Sequence, residues 1–448
     1  MIQVQVLRTV TALAVVLWSG IALAAPHRHG VHHALRRAVQ LRADSDVKPV
    51  IVTIKPRQNA PTATTLADKH QNVSAYLRVG FIAQHAADGS TTYFMPPKNT
   101  PLGVSITAPS PNLKWSVTPV GTSFKTPGTI NSGRIYIADG SLNFYASADR
   151  KIVQPDPHNP SDIASQEIWG FIELTHGKDS SNGNEDMTVN LSFVDWVSLP
   201  LGMDVTFEDG GSQKSVYIPG LKPDGLNKVC DSLSSLGSFW PKLCLRGPDK
   251  TPLRVMSPEK YISLHPDDKD AVSYYEPYIS QVWDKYKNAD LRINTQTAGP
   301  NSNVKVDNGQ IVTCRVGLDN VLHCDNDAGD FTRPVSRDIY GCNSGPFANP
   351  SQGVTESWSR ARLRPRLCAA FVRSTLHLDA VQPSRNVTSN QYYKQSITNH
   401  YSRVVHENLI EGKGYAFSYD DVNPDSTENS AGLVSMTKPI QLDIFIIT

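Results

Sequence analysis

The sequence predicts a mainly β fold with α+β content: a barrel or sandwich, an inserted mixed α/β module, and closing strands at the end of the chain. Three changes of texture carry that expectation. Short alternating segments fill residues 75–218, helical periodicity dominates 219–410, and strand-and-turn texture returns over 411–448. Regular short strands separated by Gly, Pro, Asn and Asp turns are the pattern of a sandwich or barrel. A wide groove between the two parts is expected to hold any ligand site.

The elements follow in order. Residues 1–24 carry a lone Arg8, an apolar run from Val10 and an Ala22-Leu-Ala24 cleavage pattern, which reads as a secretory signal. Residues 25–70 are a basic, Pro-, His- and Thr-bearing segment expected to be disordered, with Arg36-Arg37 as a dibasic site. Its histidines (His27, His29, His32, His33) lack an imposed geometry for metal. Strands are expected at Ala75–Ile82, Thr91–Met95, Val104–Thr107, Gly133–Ala138, Leu142–Ala146, Ile168–Thr175, Val189–Val197 and Ser215–Ile218. Helices are expected at Gly225–Leu236, Pro258–Tyr261, Asp267–Lys287, Trp358–Leu376 and Gln391–Leu409. Strands at Leu291–Thr295, Asn303–Val306, Gln310–Val316 and Val321–Cys324 interleave with them. The β-branched run Gln441–Ile447 suits a sheet-closing strand.

Composition narrows the partners. A formal charge of +1 over 448 residues gives no electrostatic case for nucleic acid or an anionic membrane. Arg360 to Arg366 is the concentrated basic patch, read as a solvated helix face. Six cysteines between Cys230 and Cys368 fit an oxidising compartment. Six cysteines allow 15 connectivities, which the sequence leaves open; the local pairs Cys230–Cys244, Cys314–Cys324 and Cys342–Cys368 are the expected set, since each would staple a short loop. Sequons at Asn72, Asn190 and Asn386 are consistent with secretion and glycosylation. Cys324-Asp-Asn-Asp-Ala-Gly-Asp330 lacks the closing Glu of a calcium loop, and His406-Glu407 lacks the second His of a zinc peptidase. No cofactor or metal is expected, and the protein is expected to be a monomer.

The chemistry rests on Glu173 and Asp195. Alternation places Phe171, Glu173 and Thr175 on one strand face, and Asp195 in register with Leu191 and Phe193 on the next strand. A carboxylate there must be paired, hydrogen-bonded or facing a cleft, because burying it bare costs several kcal/mol, roughly. Two carboxyl groups flanking a bond are what glycoside hydrolysis needs.

Four ordered segments then become familiar: Gly170-Phe-Ile-Glu-Leu-Thr175, Asn190-Leu-Ser-Phe-Val-Asp-Trp-Val-Ser-Leu-Pro-Leu-Gly202, Cys368-Ala-Ala-Phe-Val-Arg-Ser-Thr-Leu376 and Gly414-Tyr-Ala-Phe-Ser-Tyr-Asp-Asp-Val422. Together they resemble glycoside hydrolase family 64, thaumatin-like β-1,3-glucanases that include laminaripentaose-producing enzymes and fungal relatives. The resemblance runs from about residue 76 to 448. It implies a thaumatin-like barrel beside a mixed α/β domain, a groove for a β-1,3-glucan chain, and hydrolysis with inversion by a Glu acid and an Asp base. Those roles fall on Glu173 and Asp195, the latter through its Val-Asp-Trp-Val context.

Glu173 is then expected to have a raised pKa and donate a proton, and Asp195 to activate water across a carboxyl separation of about 6.5–9.5 Å. Thr175 is the leading candidate for a sugar contact, followed by Asp162, Trp169, Asn190, Tyr415, Tyr419 and Asp421. The alternative is a catalytically silent glucan-binding protein. A separation well beyond about 10 Å, or an ion pair occupying either acid, would favour that alternative.

Overall fold

A computed structural model describes residues 47–56, 73–78, 92–95, 102–105, 118–119, 123–126, 129–139, 142–143, 145–146, 152–178, 183–297, 309–351, 354–425 and 429–447. The signal-like segment, the His/Arg tract, the Asn72 sequon and the Asn303–Val306 strand lie outside them.

Two sheets share one apolar core. The six-stranded sheet runs Val434–Thr437, Glu185–Leu191, Ile168–Lys178, Ile130–Asp139, Val73–Arg78, Thr118–Pro119, with every pairing antiparallel. The five-stranded sheet runs Ser212–Ile218, Leu201–Asp209, Pro439–Ile446, Ile51–Pro56, Ser123–Lys125. Alternation decides what each face meets. Ile135, Ile137, Ile172, Leu174, Met187, Val189 and Leu191 of the first sheet join Val52, Ile54, Met203, Val205, Leu442 and Ile444 of the second in one cluster. Each such side chain contributes about 1.5–3 kcal/mol when fully buried. The opposite face of the six-stranded sheet carries a separate patch of Tyr136, Ala138, Trp169, Phe171 and Trp196. Glu173 and Thr175 share the parity of Trp169 and Phe171, so the acid belongs to that outer face.

One strand corrects the sequence reading. Ile51–Pro56, placed above in a disordered segment, pairs parallel with Pro439–Ile446 and antiparallel with Ser123–Lys125. Val50, Val52 and Ile54 are wholly buried, so this short β-branched run is ordered by its partners and not by its neighbours in sequence.

The middle of the chain adds helices and a second five-stranded sheet, ordered Gly329–Phe331, Leu322–Cys324, Ile311–Val316, Leu291–Asn294, Val381–Gln382. Several helices are shorter than their patterns predicted. The 267–287 run splits into Lys269–Val272 and Glu276–Asn288, because Pro277 starts a helix afresh more readily than it continues one. The 391–409 run holds only His400–Asn408, with Tyr393 at φ 61° breaking the regular backbone ahead of it.

The arginine patch is also corrected. Arg364 and Arg366 on the helix Trp358–Val372 are buried, not solvated. Arg364 is satisfied by both carboxylate oxygens of Glu356 at 3.1 Å, the Phe347 carbonyl and the Tyr419 hydroxyl. The disulfides are Cys230–Cys244, Cys314–Cys324 and Cys342–Cys368, the expected local pairs.

The three-stranded sheet of Trp196–Val197, Pro252–Met256 and Cys244–Arg246 links the two parts. Trp196 pairs with Met256 and Val197 with Val255, directly after Asp195. At its far end the chain returns to both large sheets through Val434–Thr437 and Pro439–Ile446.

Candidate active site

Glu173 lies mid-strand, opposite Asn190 on one side and Arg134 on the other. It is 8% exposed, and Asp195 is 5% exposed. Arg134 joins them. Its Nε and Nη2 both donate to Glu173 Oε1, at 3.0 and 2.8 Å, and Nη2 lies 3.9 Å from Asp195 Oδ2. Because one nitrogen contacts both acids, those two oxygens are at most about 6.7 Å apart, a bound that excludes a wide separation and admits both the roughly 5 Å of retaining pairs and the start of the roughly 6.5–9.5 Å of inverting ones. The guanidinium is itself fixed: it lies 4.3 Å over the Phe171 ring, and Nη1 donates to Gln154 Oε1, which also accepts from the Tyr136 hydroxyl.

An ion pair does therefore occupy Glu173, yet the acid is held above its ordinary pKa. Burial is the main cause and the Asp195 charge adds to it, against Arg134 and the Ser192 side chain, which pull the other way. Both Arg134 bonds end on Oε1, and Oε2 is buried with no hydrogen bond of ordinary length. Arg134 responds in kind. Burial opposes its charge, but Glu173, Tyr136 and Asp195 outweigh burial and leave its pKa above the usual value.

Asp195 requires a local correction. Its strand ends at Leu191, and the acid sits on a bend, not on an apolar strand face. The bend is fixed from three directions. Phe193 N–H donates to the Tyr415 carbonyl at 2.8 Å, and the Tyr401 hydroxyl donates to the Phe193 carbonyl at 2.5 Å. Ser257 N–H donates to the Asp195 carbonyl at 3.0 Å. Ser257 also caps the helix Pro258–Leu264, whose Lys260 Nζ stands 3.8 Å from Asp195 Oδ1.

The other candidates divide. Thr175 is half-buried opposite Thr188, two residues along from Glu173. Asn190 is buried directly against Glu173's strand position, so a glycan on it is incompatible with this fold, whereas Asn386 is exposed. Tyr415 is buried and bonded to Asp421 through its hydroxyl at 2.6 Å, with its ring hydroxyl close enough to feel the Glu173 charge. Trp169 is fully buried against Trp196, its ring N–H on the Ala164 carbonyl, and offers no face to a sugar. Asp162 caps a short turn by accepting from Ala164 and Asp156 N–H groups. Tyr419 accepts from Arg364, away from the acids.

Sequence reasoning missed Arg134, Lys260 and Tyr401. Arg134 had a signal: Arg134-Ile-Tyr-Ile-Ala138 alternates, which puts a charge on the outer face beside an aromatic. Lys260 and Tyr401 reach the site only through tertiary contacts. Among the described residues no group of three or more His, Cys, Asp and Glu is placed to hold a metal ion.

Comparison with known proteins adds an independent line. A family model described as beta-1,3-glucanase matches residues 68–446. The glucan endo-1,3-beta-glucosidase of Arthrobacter sp. (strain YCWD3) is 30% identical over 295 residues, 65% of this chain and 48% of that protein. The enzyme of the same name from Cellulosimicrobium cellulans is 29% identical over the same shares. The chain thus spans about half the length of the curated relatives it matches. A laminaripentaose-producing beta-1,3-glucanase, solved in complex with laminaritetraose, shares the fold at a TM-score of 0.69 and 22% identity, over 90% of this chain and 98% of that one. A beta-1,3-glucanase domain from Clostridium beijerinckii matches at 0.59 and 16% identity, over 90% and 100%.

Proposed function

The chain belongs to glycoside hydrolase family 64, and from that premise we propose that it hydrolyses β-1,3-glucan such as laminarin or cell-wall glucan, as an endo-acting glucanase. The observation that carries the reading is one guanidinium in contact with two nearly buried carboxyl groups. Glu173 is the acid. Its raised pKa suits a group that holds a proton until the glycosidic oxygen arrives. Asp195, flanked by the cations Arg134 and Lys260, is the base that takes a proton from water on the opposite face of the sugar, giving inversion. Thr175 and Asn190 neighbour the acid and are the sugar-contact candidates that remain.

The same reading extends to context. Residues 1–24 direct secretion, the disulfides suit the oxidising route, and the monomer acts outside the cell. The two large sheets form a thaumatin-like barrel, and the glucan lies in a groove between barrel and α/β domain.

One observation favours a second reading. An acid held by two arginine hydrogen bonds resembles a structural ion pair, as in a silent glucan-binding protein. Against it stands the direction of the Glu173 shift, since burial outweighs Arg134. Laminarin hydrolysis by the secreted protein and by Glu173→Gln, with the product anomer read by proton NMR, decides. Initial α-anomer, lost in the variant while glucan binding persists, is the expected result. Binding without hydrolysis in both proteins supports the silent reading, and initial β-anomer overturns inversion.

A further inference from the structure

Resting on Glu173 as acid and Asp195 as base, the geometry assigns a third role. We propose that Arg134 is the positioning residue of the pair: it grips Glu173 by Oε1 alone, leaves Oε2 to carry the transferable proton, and serves as one fixed counterion for the negative charge as it passes from base to acid.

The argument starts from the charges before and after the reaction. Before it, Asp195 is the anion and Glu173 is neutral. In the reaction the Oε2–H bond of Glu173 breaks and its proton goes to the glycosidic oxygen. The bond from the anomeric carbon to that oxygen breaks, its electron pair leaving with the oxygen. A water oxygen bonds the anomeric carbon and gives its proton to Asp195. Afterwards Glu173 is the anion and Asp195 is neutral. The charge has crossed the site, and Arg134 Nη2 stands 2.8 Å from one end and 3.9 Å from the other. A cation already in place needs no reorganisation at the moment of transfer, which is the condition under which electrostatic stabilisation is largest.

The surroundings support a fixed cation. Phe171 beneath the guanidinium and Gln154 at Nη1 hold Arg134 in a nearly buried position. The charged and titratable groups facing Glu173 are Arg134 on the adjacent strand, Asp195 on the bend and Tyr415 on the loop past the His400–Asn408 helix, with Lys260 beyond Asp195. Of these, Arg134 is the one that hydrogen-bonds the Glu173 carboxyl through Oε1 and pulls its pKa down.

The sign of the test follows. Activity on the alkaline side is lost when Glu173 ionises, so removing a cation that favours ionisation moves that limb to higher pH. The experiment is kcat/KM against pH on laminarin for the wild type, Arg134→Gln, Arg134→Met and Arg134→Lys, with melting curves for each. The neutral variants are expected to lose roughly a hundredfold to a thousandfold in kcat, with the alkaline limb displaced upward. Arg134→Lys, which keeps the charge without the paired grip, should hold the limb near the wild-type position and recover part of the rate. A rate loss with an unmoved limb, or no loss at all, overturns the proposal. So does failure of every neutral variant to fold, which would make Arg134 a structural counterion. A wild type that does not hydrolyse laminarin instead removes the acid–base reading on which the proposal stands.

Discussion

Arg373 Nη2 donates to Asp420 at two points, the backbone carbonyl at 2.7 Å and Oδ1 at 3.2 Å, and both side chains are buried. The contact joins two segments 47 residues apart, Cys368–Leu376 and Gly414–Val422. His406 Nε2 approaches Asp420 Oδ2 at 2.9 Å, and Ala416 N–H donates to the same oxygen at 2.8 Å. The cluster locks the loop that carries Tyr415, and Tyr415 in turn fixes the backbone of Phe193 two residues before Asp195. Removing one charge leaves the others uncompensated. Asp420→Asn is expected to cost about 3–5 kcal/mol, read as a fall in the urea midpoint with an unchanged slope.

The same cluster gives stability a pH dependence. Burial alone would lower the pKa of His406, but Asp420 and the Gly412 carbonyl outweigh it and hold the imidazole above 6.5. A group raised on folding stabilises fully below its unfolded pKa and loses that contribution as pH rises through its folded pKa. Burial would raise Asp420, yet His406 and Arg373 keep it below 3.8, so its contribution is lost as pH falls. The cluster therefore stabilises most in mildly acidic solution. Melting temperature should decline from about pH 6.5 upward in the wild type. In His406→Gln that part of the decline should vanish, a comparison that cancels the titrating groups outside the cluster, while Asp420, which His406 helps to hold down, titrates far below this window.

Tyr401 acts on the candidate base through backbone. Its hydroxyl is the donor to the Phe193 carbonyl, and its ring sits near enough to Asp195 to register that charge. Tyr401→Phe leaves a buried carbonyl short of a partner, at a cost of about 1–3 kcal/mol. A loosened bend misplaces Asp195 but leaves the sugar-contact candidates alone, so kcat should fall roughly tenfold or more with KM nearly unchanged. A rise in KM with kcat intact would place the effect on binding.

One disulfide is set to resist reduction in the folded state. Cys342 and Cys368 are buried and tie the end of Ser336–Gly341 to the interior of the Trp358–Val372 helix. A thiolate must reach the sulfur to exchange with it, so reductant should act on this bond only through unfolding. The double variant Cys342→Ala, Cys368→Ala is expected to lose about 2–5 kcal/mol. Mass mapping of native protein held in reductant should find this pair intact while Cys230–Cys244 and Cys314–Cys324, each with one half-buried end, yield first.

What was legible in the sequence was local. Glu173 stood out because an acid in an alternating apolar strand needs a partner, and the expectation that the cysteines pair locally matches the three bonds, although 15 connectivities were open. Asp195 was found by its sequence context and misplaced in its conformation, since nothing local reveals that Tyr401, Tyr415 and Ser257 converge on its bend. Trp169 and Tyr419 carried a sugar-binding composition and turned out to pack, because aromatic residues with a polar tip serve cores equally well. Arg364 and Arg366 read as solvated for a related reason: the Glu356 carboxylate, the Phe347 carbonyl and the Gln296 amide that help to satisfy them are distant in sequence or outside the helix.

The strand Ile51–Pro56 is the sharpest case of non-local order, and it makes the final prediction. Its parallel partner residues lie 390 positions later, with Ile51 opposite Gln441 and Ile54 opposite Ile444. It sits between that strand and Ser123–Lys125, so its loss would strip hydrogen-bond partners from both and expose Val50, Val52 and Ile54's share of the core. Deletion of residues 1–37 touches none of these contacts and should leave the melting temperature within about 2 °C of the longer chain. Deletion through residue 56 should give protein that fails to fold or melts far lower, because an unpaired central strand also becomes an edge for aggregation. Equal stability of the two deletions would return Ile51–Pro56 to the dispensable segment that its composition resembles.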